Sequence, residues 1–316
     1  MKKNQLPQQG AGSRWGVVIV VLIFLSLISF IAAIVIGLFV STSEIDPVGN
    51  VAHIKITGPI VAHAPTGFMS GGMADSTELV QLIEKADDNP EISALLFEIN
   101  SPGGTAVASS EIAEAILRTN KTTVAWMREV GASGGYWIAS AADHVVASPM
   151  TITGSIGVIG SYIEWEGTLH KYNASYRRLV SGEYKDMGTP FKEMTEDELD
   201  IMQDNLDMIR EMFVKEVAVN RKLSESAVDD IADGRFYLGK QALELGLVDQ
   251  LGGKKEAVDY IEDKLDIDAE LAEYKKAKTL AQLLAGVFGE NSFFVGQGIG
   301  KAFLDAKVTK GVEVFT

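Results

Sequence analysis

From Gly16 to Val40 the chain carries 25 consecutive residues without a charge, GVVIVVLIFLSLISFIAAIVIGLFV. A helix drawn through this run is apolar on every face, so no side is left to meet water. At ~1.5 Å per residue it spans the roughly 30 Å hydrocarbon core of a bilayer with some tilt. It is far longer than the about 7–15 apolar residues of a cleavable signal, which predicts an uncleaved anchor, although Val40-Ser41-Thr42 offers a weak cleavage site. Lys2, Lys3 and Arg14 precede the run, and Glu44 and Asp46 follow it. The positive-inside rule then places residues 1–15 in the cytoplasm and 41–316 on the outer side of the cell membrane, in a single pass. Trp15 fits an interfacial anchor.

Beyond a polar linker over 41–50 the pattern changes to short alternating segments. Val51–Ile60 alternates and is rich in β-branched residues, which predicts a strand. Leu79, Leu82 and Ile83 have helical spacing within Thr77–Ala86. Ile92–Asn100 reads as a buried strand and runs into the turn Ser101-Pro102-Gly103-Gly104, followed by a helix over 106–118. Thr122–Met127 is the next strand, then the turn Gly131-Ala132-Ser133-Gly134-Gly135, a short helix to Ala142, and a strand from His144. Strands alternating with helices predict an α/β fold with a mainly parallel sheet.

Further on, Thr151–Gly160 is small, apolar and too rich in glycine for a helix. Tyr162–Tyr172 is helix-like, Arg177–Ser181 strand-like, and Tyr184–Phe191 a loop. Thr195 opens a long helix to about Leu223 through a capping box with Glu198. A short helix over 224–232, a strand-turn-helix over 235–249 and a charged helix over 254–265 follow. The Gly67–Met73 stretch reads as a mobile loop, and the apolar tail over 279–316 as a lid, a subunit contact or a membrane-facing helix.

Composition narrows the chemistry. Residues 41–316 hold 25 basic and 43 acidic side chains, an acidic body that argues against nucleic acid. There is no cysteine, hence no disulfide, no thiolate zinc site and no thiol nucleophile. His53, His63, His144 and His170 lie far apart without metal-ligand spacing. No metal and no cofactor is therefore expected.

Ligand sites of parallel α/β folds lie beyond the carboxyl ends of the strands. The turns at 101–104 and 131–135 both follow a strand and precede a helix, so they share that rim. Two glycine-rich turns there can aim two backbone N–H groups at one point, the geometry that holds an oxyanion. Ser133 is the candidate nucleophile, and each turn taken alone is also an ordinary tight turn.

A serine hydroxyl needs a base. His144 sits in an apolar strand and reads as a core residue, while His170 reads as a surface or packing residue. The G-x-S-x-G match suggests an α/β-hydrolase elbow, but that fold needs an acid and then a histidine late in the domain, and none follows His170. Lysine remains: Lys185 lies between Tyr184 and Met187 in a Gly/Pro-bounded loop. By residue type it is a candidate base if withdrawn from water, and equally a solvated surface lysine.

Taken together, the N-terminal anchor, Asn100-Ser-Pro-Gly-Gly, Gly131-Ala-Ser-Gly-Gly-Tyr-Trp, Thr153-Gly-Ser-Ile-Gly-Val-Ile-Gly, Ser181-Gly-Glu-Tyr-Lys-Asp-Met-Gly-Thr-Pro-Phe and Asp233-Gly-Arg-Phe-Tyr…Gly246-Leu-Val-Asp resemble the signal peptide peptidase A family in its short, single-copy, Gram-positive-like form. The resemblance covers nearly the whole chain. It implies a Clp-protease/crotonase-like fold of repeated β-β-α units, with the serine endopeptidase domain over 51–278. It further implies Ser133 as nucleophile, Lys185 as general base and Ser155 as the hydroxyl orienting that lysine. Gly134, with Gly103 or Gly104, would supply the oxyanion N–H groups. Glu183 stands where relatives often carry a basic residue. The implied substrates are membrane-derived peptides, including remnant signal peptides. The implied assembly is a ring-shaped homo-oligomer at the bilayer, with each dyad built from neighbouring copies. Two other classes fit the same turns less well: an acyl-CoA enzyme of the crotonase type, and a non-catalytic membrane scaffold on a protease fold.

Overall fold

A computed structural model of the protein describes residues 12–42, 47–65 and 72–275. Most of the 1–15 segment, part of the 41–50 linker, most of the Gly67–Met73 loop and the 279–316 tail lie outside the described residues.

Helix α1 spans Gly12–Thr42 and contains the uncharged run. Its side chains are described over 16–32, and all of these are exposed. Over the residues whose side chains are described, which in α1 end at 32, no helix is long and apolar enough to cross a membrane.

The remaining elements lie within Pro47–Lys276. In chain order they begin β1 (Val51–Thr57), β2 (Ile60–Val61), β3 (Ala74–Asp75), α2 (Ser76–Asp88), β4 (Ala94–Ser101), α3 (Ala106–Arg118), β5 (Thr122–Ala132), α4 (Gly134–Ser140), β6 (His144–Ala147) and β7 (Ile152–Gly154). Then come α5 (Glu166–Lys171), α6 (Glu196–Arg221), α7 (Glu225–Asp229), β8 (Phe236–Leu238), α8 (Gly239–Glu244), β9 (Gln250–Leu251), α9 (Lys254–Leu265) and β10 (Leu271–Tyr274). The main sheet runs β10-β1-β4-β5-β6-β9, with β7 beside β5 and β8 beside β7. Every pairing in it is parallel except β7 with β8. The expected mainly parallel α/β sheet is present.

Period-two alternation divides the strands between two cores. Ala52, Ile54 and Ile56 of β1, with Leu95, Phe97 and Ile99 of β4, face a large cluster that also takes Leu79 and Ile83 of α2 and Ile112 and Ile116 of α3. Val51, Ala94, Leu96, Val124 and Val146 face the other way, onto Ala257 and Ile261 of α9. Both faces are covered, as a parallel sheet requires.

Strand β5 determines where the sheet opens. Its first half, Val124–Met127, pairs with β6; its second half, Val130–Ala132, pairs with β7. The corner is a bulge, because Ile99 opposes Met127 but Ser101 opposes Gly131. Side chains fix it: Val130 N–H donates to Asn100 Oδ1 at 3.2 Å, and the Thr151 and Thr153 hydroxyls donate to the carbonyls of Arg128 (2.5 Å) and Gly131 (2.7 Å). Thr151 and Thr153 are fully buried, so these bonds satisfy carbonyls that water does not reach.

Two expectations require correction. Arg177–Ser181 is not a strand; its residues are exposed, and among the described residues no strand offers Leu179 or Val180 a ladder. The helix-like 162–172 stretch contracts to α5, none of whose residues is buried. Strand β10, pairing Leu271–Tyr274 with Val51–Ile54, was not anticipated.

Candidate functional site

Ser133 is the residue between β5 and α4. It has φ 53° and ψ −126°, a conformation a non-glycine residue adopts at a cost of order 1–3 kcal/mol. Backbone bonds hold it there: Ser133 N–H donates to Gly154 O at 2.8 Å, and its carbonyl accepts from the amides of Tyr136 and Trp137, each at 2.9 Å. Its side chain is half-buried, and its hydroxyl makes no hydrogen bond among the described residues. The strain therefore presents a free Oγ at the carboxyl end of a central strand.

The turn after β4 lies directly against it. Ser101 Oγ donates to Gly58 O at 2.6 Å and accepts from Gly103 N–H at 3.1 Å. Ile60 completes the clamp, donating to Gly103 O at 2.9 Å and accepting from Thr105 N–H at 3.0 Å. Gly103 has φ 103°, and a Cβ there would lie 2.7 Å from Gly134 N and 2.8 Å from Ser133 Cβ. A Cβ on Gly134 would overlap Ser109 Oγ and lie 3.3 Å from Gly104 N. The two glycine turns are thus in van der Waals contact. Of the three expected donors, Gly103 N–H is already used by Ser101. The Gly104 and Gly134 amides make no hydrogen bond among the described residues. With α4 only seven residues long, its dipole is a minor influence beside these two N–H groups.

Ser155 follows β7, which pairs with β5 so that Ala132 opposes Gly154. It too has a positive φ, 51°. Its amide donates to Arg235 O at 2.9 Å and its hydroxyl to Gly234 O at 3.3 Å.

Among the described residues no histidine hydrogen-bonds to Ser133 or to the glycine turns; His63 is exposed and meets Thr77 Oγ1 at 3.4 Å. His53 is buried and bonded to Glu98 at 2.8 Å, and burial pushes its pKa below the usual imidazole value. His144, expected in the core, is half-buried, stacks on Tyr260 with ring centroids 3.7 Å apart and meets Gln250 Oε1 at 3.0 Å. His170 is exposed and pairs with Glu166 at 2.6 Å.

Lys185 sits in the turn-rich stretch before α6. It is exposed, and its ammonium has no hydrogen bond or ion pair among the described residues. Among the described residues no hydrogen bond links its loop to Ser133, Ser155 or the Gly103-Gly104 turn. Backbone pairing thus brings Ser133, Gly104, Gly134 and Ser155 together, while no hydrogen bond among the described residues ties Lys185 to them. The 159–191 segment that carries it exposes large apolar side chains, among them Ile159, Ile163, Tyr172 and Leu179, the last 97% exposed.

Residues 115–268 match peptidase family S49. A candidate protease of Methanocaldococcus jannaschii is 30% identical over 94% of this chain and 95% of its own length. A candidate signal peptide peptidase SppA of Enterococcus faecium is 32% identical over 73% of this chain and 68% of its own. The chain belongs to peptidase family S49, the signal peptide peptidase A family. Protease 4 of Haemophilus influenzae is 31% identical over 67% of this chain, which corresponds to 34% of that longer protein. The chain is accordingly a serine-type protease.

Reading the sequence missed Asn100, Thr151 and Thr153, which fix the β5 corner that aims Ser133. Each acts on a carbonyl or amide more than 20 residues away, and no local pattern encodes such a partner.

Proposed function

We propose that this S49 protease is a membrane-anchored serine endopeptidase in which Ser133 is the nucleophile and Lys185 the general base. The observation that carries the proposal is the strained Ser133, its hydroxyl free, beside two unbonded amides on one rim. Ser133 Oγ attacks the scissile carbonyl carbon and passes its proton to the neutral amine of Lys185. The oxyanion rests on Gly104 and Gly134 N–H, and each such donor is worth about 3–4 kcal/mol in the transition state. Lys185 returns the proton to the leaving amine as the C–N bond breaks. Water, deprotonated by the same lysine, then attacks the acyl ester; as the ester C–O bond breaks the lysine returns that proton to Ser133 Oγ, and the acid product leaves.

Among the described residues no hydrogen bond ties the Lys185 loop to either serine, and with the family resemblance this favours a dyad assembled from neighbouring copies. The exposed apolar segment over 159–191 is the surface such a ring would cover. Covering it withdraws the lysine from water, the direction that favours a neutral amine. Ser155, one residue beyond the strand next to that of Ser133, would accept a hydrogen bond from an incoming amine. The alternating strands and helices suit the Clp-protease/crotonase-like arrangement.

The uncharged 16–40 run of α1 supports an anchor, with the basic end cytoplasmic and the protease domain outside the cell membrane. Substrates presented at a bilayer are apolar peptides, of which remnant signal peptides are the class we assign. The test is hydrolysis of a synthetic signal peptide by the detergent-solubilised full chain. Ser133→Ala and Lys185→Ala should each abolish cleavage while circular dichroism is unchanged; cleavage by purified Ser133→Ala overturns the assignment.

A further inference from the structure

The loop that carries Lys185 belongs to no helix or strand. It is a run of tight turns: Lys185 N–H to Gly182 O at 3.3 Å, Met187 N–H to Tyr184 O at 3.1 Å and Thr189 N–H to Asp186 O at 3.1 Å. Gly182 and Gly188, at φ 108° and 77°, allow the chain to reverse at either end. Such a loop is expensive to hold in one conformation unless something ties it down. A base must also be held within hydrogen-bond reach of its proton.

One side chain supplies the tie. Arg178 Nε lies 2.9 and 2.7 Å from the two carboxylate oxygens of Asp186, and an Nη of the same guanidinium donates to the carbonyl of Glu183. The residue two before Lys185 and the residue one after it are therefore fastened to a single planar group. Asp186 is only 10% exposed although the loop around it is open. The guanidinium bond holds the Asp186 carboxyl below the usual carboxylate range.

Charge gives the contact a second consequence. An aspartate next to a lysine in a turn is an available counter-ion for the ammonium, and pairing would keep the lysine charged and useless as a base. Here the carboxylate is already occupied by Arg178. The other cation near Asp186, Lys192, is held by Glu198 at 2.7 Å, and Glu198 is in turn fixed by the Thr195 amide. The other charges facing the loop are the exposed side chains of Glu183, Glu193 and, from the first turn of α6, Asp197.

We propose that Arg178 is a positioning residue for Lys185, fixing its loop and occupying the Asp186 carboxylate so that the amine is left unpaired. This rests on Lys185 being the base of the proposed dyad. The bonds of Arg178 go to Asp186 and Glu183 and none to Ser133 among the described residues, so it acts through the loop.

The experiment compares peptide hydrolysis across pH for the full chain and for Arg178→Gln, Asp186→Asn, the double variant and Lys185→Ala. Melting temperature and oligomeric size are followed in parallel. Arg178→Gln should lower kcat at least about tenfold with KM within about twofold, and should move the ascending limb of the pH–rate profile to higher pH, because the freed carboxylate now holds the ammonium. Asp186→Asn loses the fork but frees no carboxylate, so kcat falls without that displacement. The double variant should follow Asp186→Asn. Arg178→Lys keeps the charge without the planar fork and should recover only part of kcat. An unchanged kcat and pH profile in Arg178→Gln, beside an inactive Lys185→Ala, overturns the inference alone. The same displacement in Arg178→Gln and Asp186→Asn overturns the role of the occupied carboxylate. An active Lys185→Ala overturns the dyad and this inference together.

Discussion

Ser133 and Ser155 leave neighbouring parallel strands at the same level, one residue beyond the paired Ala132 and Gly154, and both have positive φ, 53° and 51°. The Ser133 amide donates to the carbonyl of Gly154, the residue before Ser155, at 2.8 Å. Two strained serines on adjacent strand ends are an improbable packing solution, since each costs of order 1–3 kcal/mol that glycine would avoid. Their placement makes sense if one hydroxyl attacks and the other receives the base that deprotonates it.

Ser155→Ala should therefore lower kcat about 10- to 100-fold with little effect on KM, as expected for loss of a group that orients the base. The backbone bonds of Ser155 to Arg235 remain available in the variant, so folding should be intact. Steady-state kinetics with a fluorogenic peptide measure this; a variant with parental kcat removes Ser155 from the mechanism.

Gly134→Ala places a methyl group onto Ser109 Oγ, next to the Gly104 amide. Ser109 is fully buried and its hydroxyl already donates to Thr105 O at 2.9 Å, so it has little freedom to retreat. The expected result is about 1–3 kcal/mol of destabilisation from overpacking and roughly 100-fold or more off kcat from a displaced oxyanion donor. Denaturant unfolding and kinetics on the same preparation separate the two effects.

Glu273 bears on stability and not on catalysis. Ion pairs with Lys275 at 2.8 Å and Lys55 at 2.7 Å, the Lys275 bond first, push its carboxyl pKa down to about 2. A depressed carboxylate stabilises the fold fully above its unfolded pKa, about 4.3, and that stabilisation disappears as pH falls towards 2. With Glu273 40% exposed, the contribution is at most about 1 kcal/mol. Glu273→Gln should thus cost that much at pH 7 and progressively less as pH falls through about 2, by urea unfolding at several pH values.

The sequence discloses what is periodic or adjacent. α3 and α9 fall where apolar spacing and charge place them, and the Thr195–Glu198 capping box starts α6 as read. The Ser133 turn and its partner at Gly103-Gly104 were visible as glycine-rich punctuation after two strands. Their contact depends on β4 and β5 pairing side by side, with a bulge set by Asn100 and Thr151, and neither residue has a local signature. Strand β10 is short and weakly patterned, legible only through its pairing with β1. Leu179 and Val180 suggested a strand because β-branching and apolarity mark buried chain generally. In a single copy of the protein they are exposed.

The central claim is a dyad shared between copies, and the most direct measurement is to mix two dead chains. Ser133→Ala and Lys185→Ala are purified separately, dissociated, combined and reassembled, and signal-peptide cleavage is then measured. Each variant alone should be inactive, and the mixture should regain cleavage, because intact Ser133 from one chain meets intact Lys185 from another. A mixture that co-assembles yet stays inactive, or activity in either variant alone, would contradict the account.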